Sequence, residues 1–442
     1  MISILICQKG RMQGIVFFRS IDFTYTMFSE ELLNRFEVTA YRINSALPIA
    51  MILPLFWWAS VSANERPMTF YPNIESVNDI RSFDVVAVQD KLHAAILTMG
   101  NRHESNSIVY SVSADGGNTW MKPIRIDRSD DAPVLSRRGN DIKLAVSGRR
   151  RVVVWQSAGL FAGSGPMVIA TSDDGGQHWQ RGINPANEDG LNNQSYMEIA
   201  ADRRGHFHLI WLDDREEKGN TQGLRYAQSS DGGRSWQRET TLDPEVCTCC
   251  WNRLLVLPDQ RISLLYRDDD PHDMRMALGE PGAVGWRDRG PVGAFNWQFQ
   301  GCPHCGGGIA VAQVPRQVRL HSVVWTGKGE KAGLYYLSSD DIGKSWGAPV
   351  RMGVGQSREG DIAARSFKNL ALVYSETDGQ GATLRYRDSR DGGNAWSVPR
   401  DLSAPGKAPD HPRILAFREG FKVFWTEQQE HGRKRLAIQS LQ

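Results

Sequence analysis

The sequence predicts an all-β chain folded as a β-propeller, with seven four-stranded blades favoured over six. Three observations carry this expectation. An eight-residue turn recurs five times, pairs of alternating apolar runs lie between the turns, and 43 glycines and 14 tryptophans supply the bends and aromatic plugs of such a design. The formal net charge is only +2 over 442 residues, and no basic stripe is interleaved with aromatics, which argues against a nucleic-acid partner.

The turn appears as SADGGNTW (Ser113 to Trp120), SDDGGQHW (Ser172 to Trp179), SSDGGRSW (Ser229 to Trp236), SDDIGKSW (Ser339 to Trp346) and SRDGGNAW (Ser389 to Trp396). All fit S-x-D-x-G-x-x-W. The Asp carboxylate can accept backbone N–H groups across a hairpin, Gly permits a positive φ, and Trp folds back as an apolar plug. GAVGWRDRG supplies Trp286 midway between Trp236 and Trp346 as a decayed sixth copy.

Between the turns, runs such as IKLAVSGRRRVVVWQS and MEIAADRRGHFHLIWLD alternate with period two and are rich in Val, Ile, Leu and Trp, which argues strands. Seven such pairs occur, from FDVVAVQDKLHAAILTM to PRILAFREGFKVFWTE. Each unit reads strand, strand, strand, turn, strand. The last unit ends after three strands, and RPMTFYPNI near the start of the domain is expected to supply its outer strand and close the ring, removing an exposed sheet edge. Six blades with a peripheral sheet is the alternative.

Residues 1–63 read as a leader and signal peptide, or an N-terminal anchor, and residues 64–442 as one propeller domain. Arg42 precedes an apolar run from Ala46 to Trp58, and Val61-Ser62-Ala63 is a small-residue cleavage site. The run is shorter than the roughly 20 residues of a spanning helix and holds Pro48 and Pro54, so no membrane association is expected beyond this segment. The mature chain is expected to be exported, periplasmic or extracellular, and monomeric. Cys7 would leave with the leader. An odd number of cysteines then remains in an oxidising compartment, where disulfides persist.

The turns and blade grammar resemble the sialidase-like BNR Asp-box β-propeller superfamily, from about residue 80 onward. EVCTCCWNRLLV and QGCPHCGGGIAV, with YRDDDPHDMRM between them, are similar to a bacterial exported subgroup with C-x-C-C and G-C-P motifs, whose members are commonly labelled exo-α-sialidase. The resemblance implies the propeller and a carbohydrate-directed site at its axis. Sialidases of the superfamily place three arginines around a substrate carboxylate, with a Tyr nucleophile, a Glu partner and an Asp acid/base. The first arginine lies in a Phe/Tyr-Arg-Ile-Pro motif, which this sequence lacks; the nearest string, KPIRIDR (Lys122 to Arg128), follows a box turn on an outer strand.

Aligning the seven inner strands on their first apolar residue places Asp84, Asp141, Glu198, Arg253, Gly308, Asp361 and Arg413 at the preceding position. Asp141, Glu198, Asp361, Arg253 and Arg413 are the catalytic candidates: the arginines would hold an anionic group while a carboxylate does acid or base work. Arg138, Arg358 and Glu359 lie in the loops leading into these strands. With four acids against two arginines, binding of a cation or of sugar hydroxyls is as natural as capture of a carboxylate. The partner would be a glycan or another small anionic ligand.

The same alignment, with Leu254 on Ile309, sets Cys247 against Cys302, Cys249 against His304 and Cys250 against Cys305. These six residues read either as disulfides among the cysteines or as a metal site suited to copper or zinc. RDDDPHD (Arg267 to Asp273) offers four Asp and one His but reads mainly as a solvated acidic loop. LDDREEKGN (Leu212 to Asn220) is its counterpart one blade earlier, with most of its charge at the surface. P-loop, Rossmann, HExxH and G-x-S-x-G motifs are absent. Two functions therefore stand: a carbohydrate-directed propeller, or a non-catalytic envelope protein that binds copper, zinc or a protein partner through its Cys/His cluster.

Overall fold

A computed structural model describes residues 2–8, 11–18 and 69–442, apart from 76, 101–105, 187–192, 216–220, 281–284 and 380. The chain divides into two compact units, Met1–Ala63 and Asn64–Gln442. In the first, Ile2–Gln8 pairs antiparallel with Arg11–Phe18. The apolar run and small-residue site at 46–63 lie outside the described residues.

The second unit consists of seven antiparallel sheets. Their innermost strands are Ile80–Val88, Lys143–Ser147, Gln194–Ala201, Arg253–Val256, Gly308–Val314, Ser357–Ala364 and Asp410–Phe417. Each neighbours the next, and the last neighbours the first, so the sheets close into a ring of seven blades. Blades 1 and 3 to 6 have four strands each. In blade 2 an additional short strand, Val134–Leu135, pairs with Arg150–Ser157 beside the inner strand. Blade 7 has three regular strands, and Phe70 completes it: its N–H donates to the Ile438 carbonyl at 2.7 Å and its carbonyl accepts the Ile438 N–H at 2.8 Å. The expected closure by the segment at the start of the domain is thus observed, and six blades are excluded.

The five box turns connect third and fourth strands. In the first, the Asp115 carboxylate accepts the Thr119 N–H at 2.9 Å and the Ser113 hydroxyl at 2.8 Å, while the Trp120 indole N–H donates to the Gly117 carbonyl at 3.0 Å. The other four repeat the Ser-to-Asp bond. Several Trp plugs cross to the preceding blade. Trp179 and Trp396 meet Tyr110 and Tyr336 edge-on at 5.4 and 4.9 Å, and Trp286, from the decayed copy, meets Tyr226 in the same way at 5.0 Å. Each of these tyrosines bonds a histidine on the second strand of its own blade, His93, His208 or His321, at 2.7–2.8 Å. Burial holds all three imidazoles down at about 4, so they pack as neutral rings between blades.

Phe70→Pro removes the N–H that closes blade 7. It is expected to destabilise the propeller by about 1–3 kcal/mol in urea unfolding, and an unchanged midpoint would show that the ring does not depend on this contact.

Candidate functional site at the channel mouth

The seven aligned positions meet at the axis as an ionic lattice. Glu198 Oε2 accepts from Lys143 Nζ at 2.9 Å and from Arg253 Nη1 at 3.2 Å. Arg253 also faces Asp361 at 3.9 Å, Asp361 faces Arg413 at 4.0 Å, and Arg413 Nη2 lies 3.3 Å from Asp84 Oδ1. Asp84 and Asp361 further accept the N–H groups of Leu144 and Ile414, at 3.0 and 3.1 Å, on the neighbouring inner strands. Burial works against the Glu198 charge, but Lys143 and Arg253 outweigh it and lower its pKa. Asp84 is pushed up by burial despite Arg413. The fifth position is Gly308 because there is no room for more: a Cβ there would lie 3.0 Å from the Asp361 Cα.

Lys143 was not among the candidates. It lies two residues beyond Asp141, and period-two alternation was the signal that could have found it. His411 is a second cation missed. Its Nε2 lies 3.2 Å from Asp141 Oδ1 and its Nδ1 lies 3.6 Å from Asp410, which is also paired with Lys434 at 2.8 Å. Burial alone would depress the imidazole, yet Asp141 and Asp410 hold it up at about 9. Asp141 is lowered in turn: burial opposes its charge, and His411, Lys143 and the Ser82 hydroxyl outweigh it. The excess of acids over arginines read from the sequence is therefore cancelled by Lys143 and protonated His411.

A second ring lies two residues before the first: Ser82, Gly139, Tyr196, Trp251, Gly306, Glu359 and His411. In blades 3, 6 and 7 the inner strand bulges between Ser195 and Glu198, Arg358 and Asp361, and Asp410 and Arg413. Tyr196, Glu359 and His411 take left-handed φ angles of 50°, 54° and 55° there. Such bulges re-aim side chains, and non-glycine residues held in this region are a mark of functional sites. At the equivalent places in blades 2 and 5, Cβ atoms on Gly139 and Gly306 would lie 2.4 and 2.3 Å from the Trp251 indole. The two glycines leave the space that this indole fills.

Together these groups line a cleft of about 480 Å³ including its open mouth, with Phe83 and Trp251 as apolar faces and Arg138, Glu359, Asp141, His411, Arg253 and Arg413 as polar ones. Glu359 Oε1 accepts from Arg138 Nε at 2.6 Å, while its Oε2 is buried without a partner. Burial and the nearby Asp410 raise its pKa against Arg138 and His411. Arg358 turns to the adjacent loop, donating to the Pro303 carbonyl at 3.1 Å and lying over Trp325.

The structure separates the six Cys/His candidates. Cys247, Cys249 and Cys250 cluster, all buried, with Cys247 Sγ 3.8 Å from Cys249 Sγ and 2.8 Å from Cys250 Sγ. Cys305 is buried elsewhere, against Arg358 at 3.6 Å. Cys302 is exposed and meets the Thr248 hydroxyl at 3.2 Å, and His304 is exposed. All five thiols are free. The two loops do touch near the mouth, as the register implied, but the six residues form no common cage. In the charged loop after blade 3's second strand, Asp213 and Arg215 are buried and bonded to each other, Asp213 also to Arg225 and Arg215 also to Glu239; residues 216–220 lie outside the described residues.

Two outcomes follow from this lattice. Glu198→Ala removes the carboxylate in direct contact with the buried Lys143 ammonium and is expected to cost about 3–5 kcal/mol of stability by chemical unfolding. His411, raised in the fold, contributes stability that is complete below its unfolded pKa near 6.5 and is lost as pH rises through about 9. The stability difference between wild type and His411→Gln should therefore shrink between pH 7 and 10, and a constant difference would remove the imidazolium from the account.

Residues 83–290 match the BNR repeat-like domain family. No curated protein sequence matches the chain. Among solved structures, an ulvan lyase of a new polysaccharide lyase family superposes with a TM-score of 0.55 at 11% identity, over 82% of this chain and 94% of that one. The intramolecular trans-sialidase of Ruminococcus gnavus gives 0.46 at 13% identity, over 85% and 97%. A protein of unknown function from Dyadobacter fermentans gives 0.48 at 12%, over 84% and 97%. With its repeated box turns and its seven closed sheets, the protein is a seven-bladed β-propeller, and its residues 83–290 match the BNR repeat-like domain family.

Proposed function

We propose that the channel mouth is a glycan-directed catalytic site in which Glu359 is the acid and Asp141 the base. One observation carries this reading: two carboxyl groups line the same cleft and are driven in opposite directions, Glu359 up by burial and Asp410, Asp141 down by His411 and Lys143. Carboxyls whose environments push them apart divide naturally into acid and base. Trp251 and Phe83 would stack on sugar faces, and Arg138, already bonded to Glu359, would orient the acid.

The ionic lattice beneath becomes a rigid floor. Glu198 and Asp361 face Arg253 and Arg413, so we assign these four to positioning the cleft, although Arg253 Nε and Arg413 Nε and Nη1 are buried without a hydrogen-bond partner. A sialidase-type nucleophile finds little support. Tyr196, the tyrosine of the mouth ring, has its phenol pushed up to about 12 by burial, and its hydroxyl accepts from Arg137 Nε at 3.2 Å rather than pairing with a carboxylate. Export, carried by residues outside the described set, would place the site in contact with extracytoplasmic polysaccharide.

The test is a panel of neutral, uronate-containing and sialylated glycans, scored for binding and for release of new chain ends. Glu359→Gln is expected to lower kcat by about 10²–10⁴-fold with KM little changed, and Trp251→Ala to weaken binding by about tenfold, on the order of one stacked ring. Wild-type turnover in Glu359→Gln, or no glycan bound by the wild type, would overturn the reading. Loss of sialoside cleavage in Arg253→Ala and Arg413→Ala alone would move the chemistry to the lattice.

A further inference from the structure

The C-x-C-C segment and the acidic loop Arg267 to Asp273 were separate features of the sequence, and the fold brings them together. Cys247 ends the outer strand Thr240–Cys247 of blade 3, and Cys249 and Cys250 follow in the turn that leads to blade 4. The three sulfurs lie within 4.8 Å of one another and are buried. In a tetrahedral thiolate site with metal–sulfur bonds of about 2.3 Å, sulfurs sit about 3.8 Å apart. The Cys247–Cys249 pair is already at 3.8 Å, and Cys250 needs only a small outward shift from 2.8 Å.

The fourth corner comes from the other loop. His272 is only 4% exposed and lies on the Cys247 side of the cluster, though not within 4.8 Å of all three sulfurs, so its ring must close toward them when a cation binds. Its Nδ1 is buried without a hydrogen-bond partner, while Nε2 faces Asp269 Oδ1 at 3.6 Å. Asp269 thus stands just beyond hydrogen-bond reach on the side of the ring where the outer carboxylate of a metal-bound histidine sits, placed to hold the ring once Nδ1 takes the metal. The edges of Trp297 and Phe299, each 5.8 Å away, and a backbone bond from His272 N–H to the Trp297 carbonyl at 2.8 Å place the ring.

Arg267 supplies an independent observation. Its guanidinium is 1% exposed, and its bonds go to the carbonyls of Cys305, His272 and Trp325; among the described residues it has no carboxylate partner. A buried charge requires a counter-charge. Three thiolates around Zn²⁺ leave one negative charge, which Arg267 cancels; around Cu⁺ they leave two, of which Arg267 offsets one.

We propose that Cys247, Cys249, Cys250 and His272 form a closed site for a thiophilic d10 cation, Zn²⁺ or Cu⁺, with Asp269 orienting His272 and Arg267 balancing the charge. The site is independent of the glycan reading and is read by metal content, not turnover. Cys302, His304 and Cys305 lie outside it.

The full chain, stripped with chelator and kept reduced without oxygen, is titrated with Co²⁺ as a spectroscopic probe, then with Zn²⁺ and with Cu⁺. One equivalent should bind with thiolate charge-transfer absorption and the d–d bands of a tetrahedral centre, and competition between Zn²⁺ and Cu⁺ identifies the ion. Cys249→Ser and His272→Ala should each abolish stoichiometric binding. Cys302→Ser and His304→Ala should leave it unchanged. Asp269→Asn keeps every ligand and the fold, and should weaken binding by about 10–100-fold. Failure of the reduced wild type to bind, or binding indifferent to Cys249→Ser, His272→Ala and Asp269→Asn, overturns the site.

Discussion

Neutralisation of charge along the axis is the constraint on which the rest of the protein depends. Seven inner strands converge there, and four of them present carboxylates at the same level of the channel. Removing such groups from water is costly unless each meets a cation and further hydrogen-bond donors. The lattice of Lys143, Glu198, Arg253, Asp361, Arg413 and Asp84 meets that demand by alternation, and the backbone N–H groups of Leu144 and Ile414 add donors to Asp84 and Asp361. Because each charged residue belongs to a different blade from its partner, the lattice also sets the blades' register at the axis.

A rigid ionic floor lets the layer above it be strained. Tyr196, Glu359 and His411 hold left-handed backbone at bulges, each two residues before a lattice residue, and Trp251 occupies room left by glycines on two other blades. The result is a cleft whose carboxyls differ in environment though they differ little in chemistry. Asp141 has imidazolium and ammonium neighbours; Glu359 has burial, one exposed arginine and an acidic neighbour. The cysteine cluster packs in the same core as Trp251, which forms one wall of the cleft. Two chemically unlike places thus share the short stretch from Cys247 to Arg253.

Much of the architecture could be read directly. The box turns, the alternating strands, the return of the segment around Phe70 and the equivalence of Trp286 to the box tryptophans depend on local periodicity, which a linear sequence displays. The lattice positions were legible for the same reason, since one alignment of the inner strands collects them. Lys143 was equally accessible through alternation and was passed over. Glu359 was visible only as a loop residue, and His411 was not visible at all, because a bulge shifts the side-chain period by residues that no local rule assigns.

What the sequence by itself determined is the repeat: strands of period two, turns closed by Asp and Trp, and a ring of charged residues at one register. Only the tertiary structure decided which charges cancel, which carboxyl is raised and which lowered, and which histidine stands beside the three cysteines. His304 aligns with Cys249 yet points to solvent, whereas His272, in the loop between the second and third strands of blade 4, lies against Cys247. The physical reason is that periodicity is a property of neighbours along the chain, while ion pairing, desolvation and ligand geometry are properties of neighbours in space, and ring closure brings together groups from different blades.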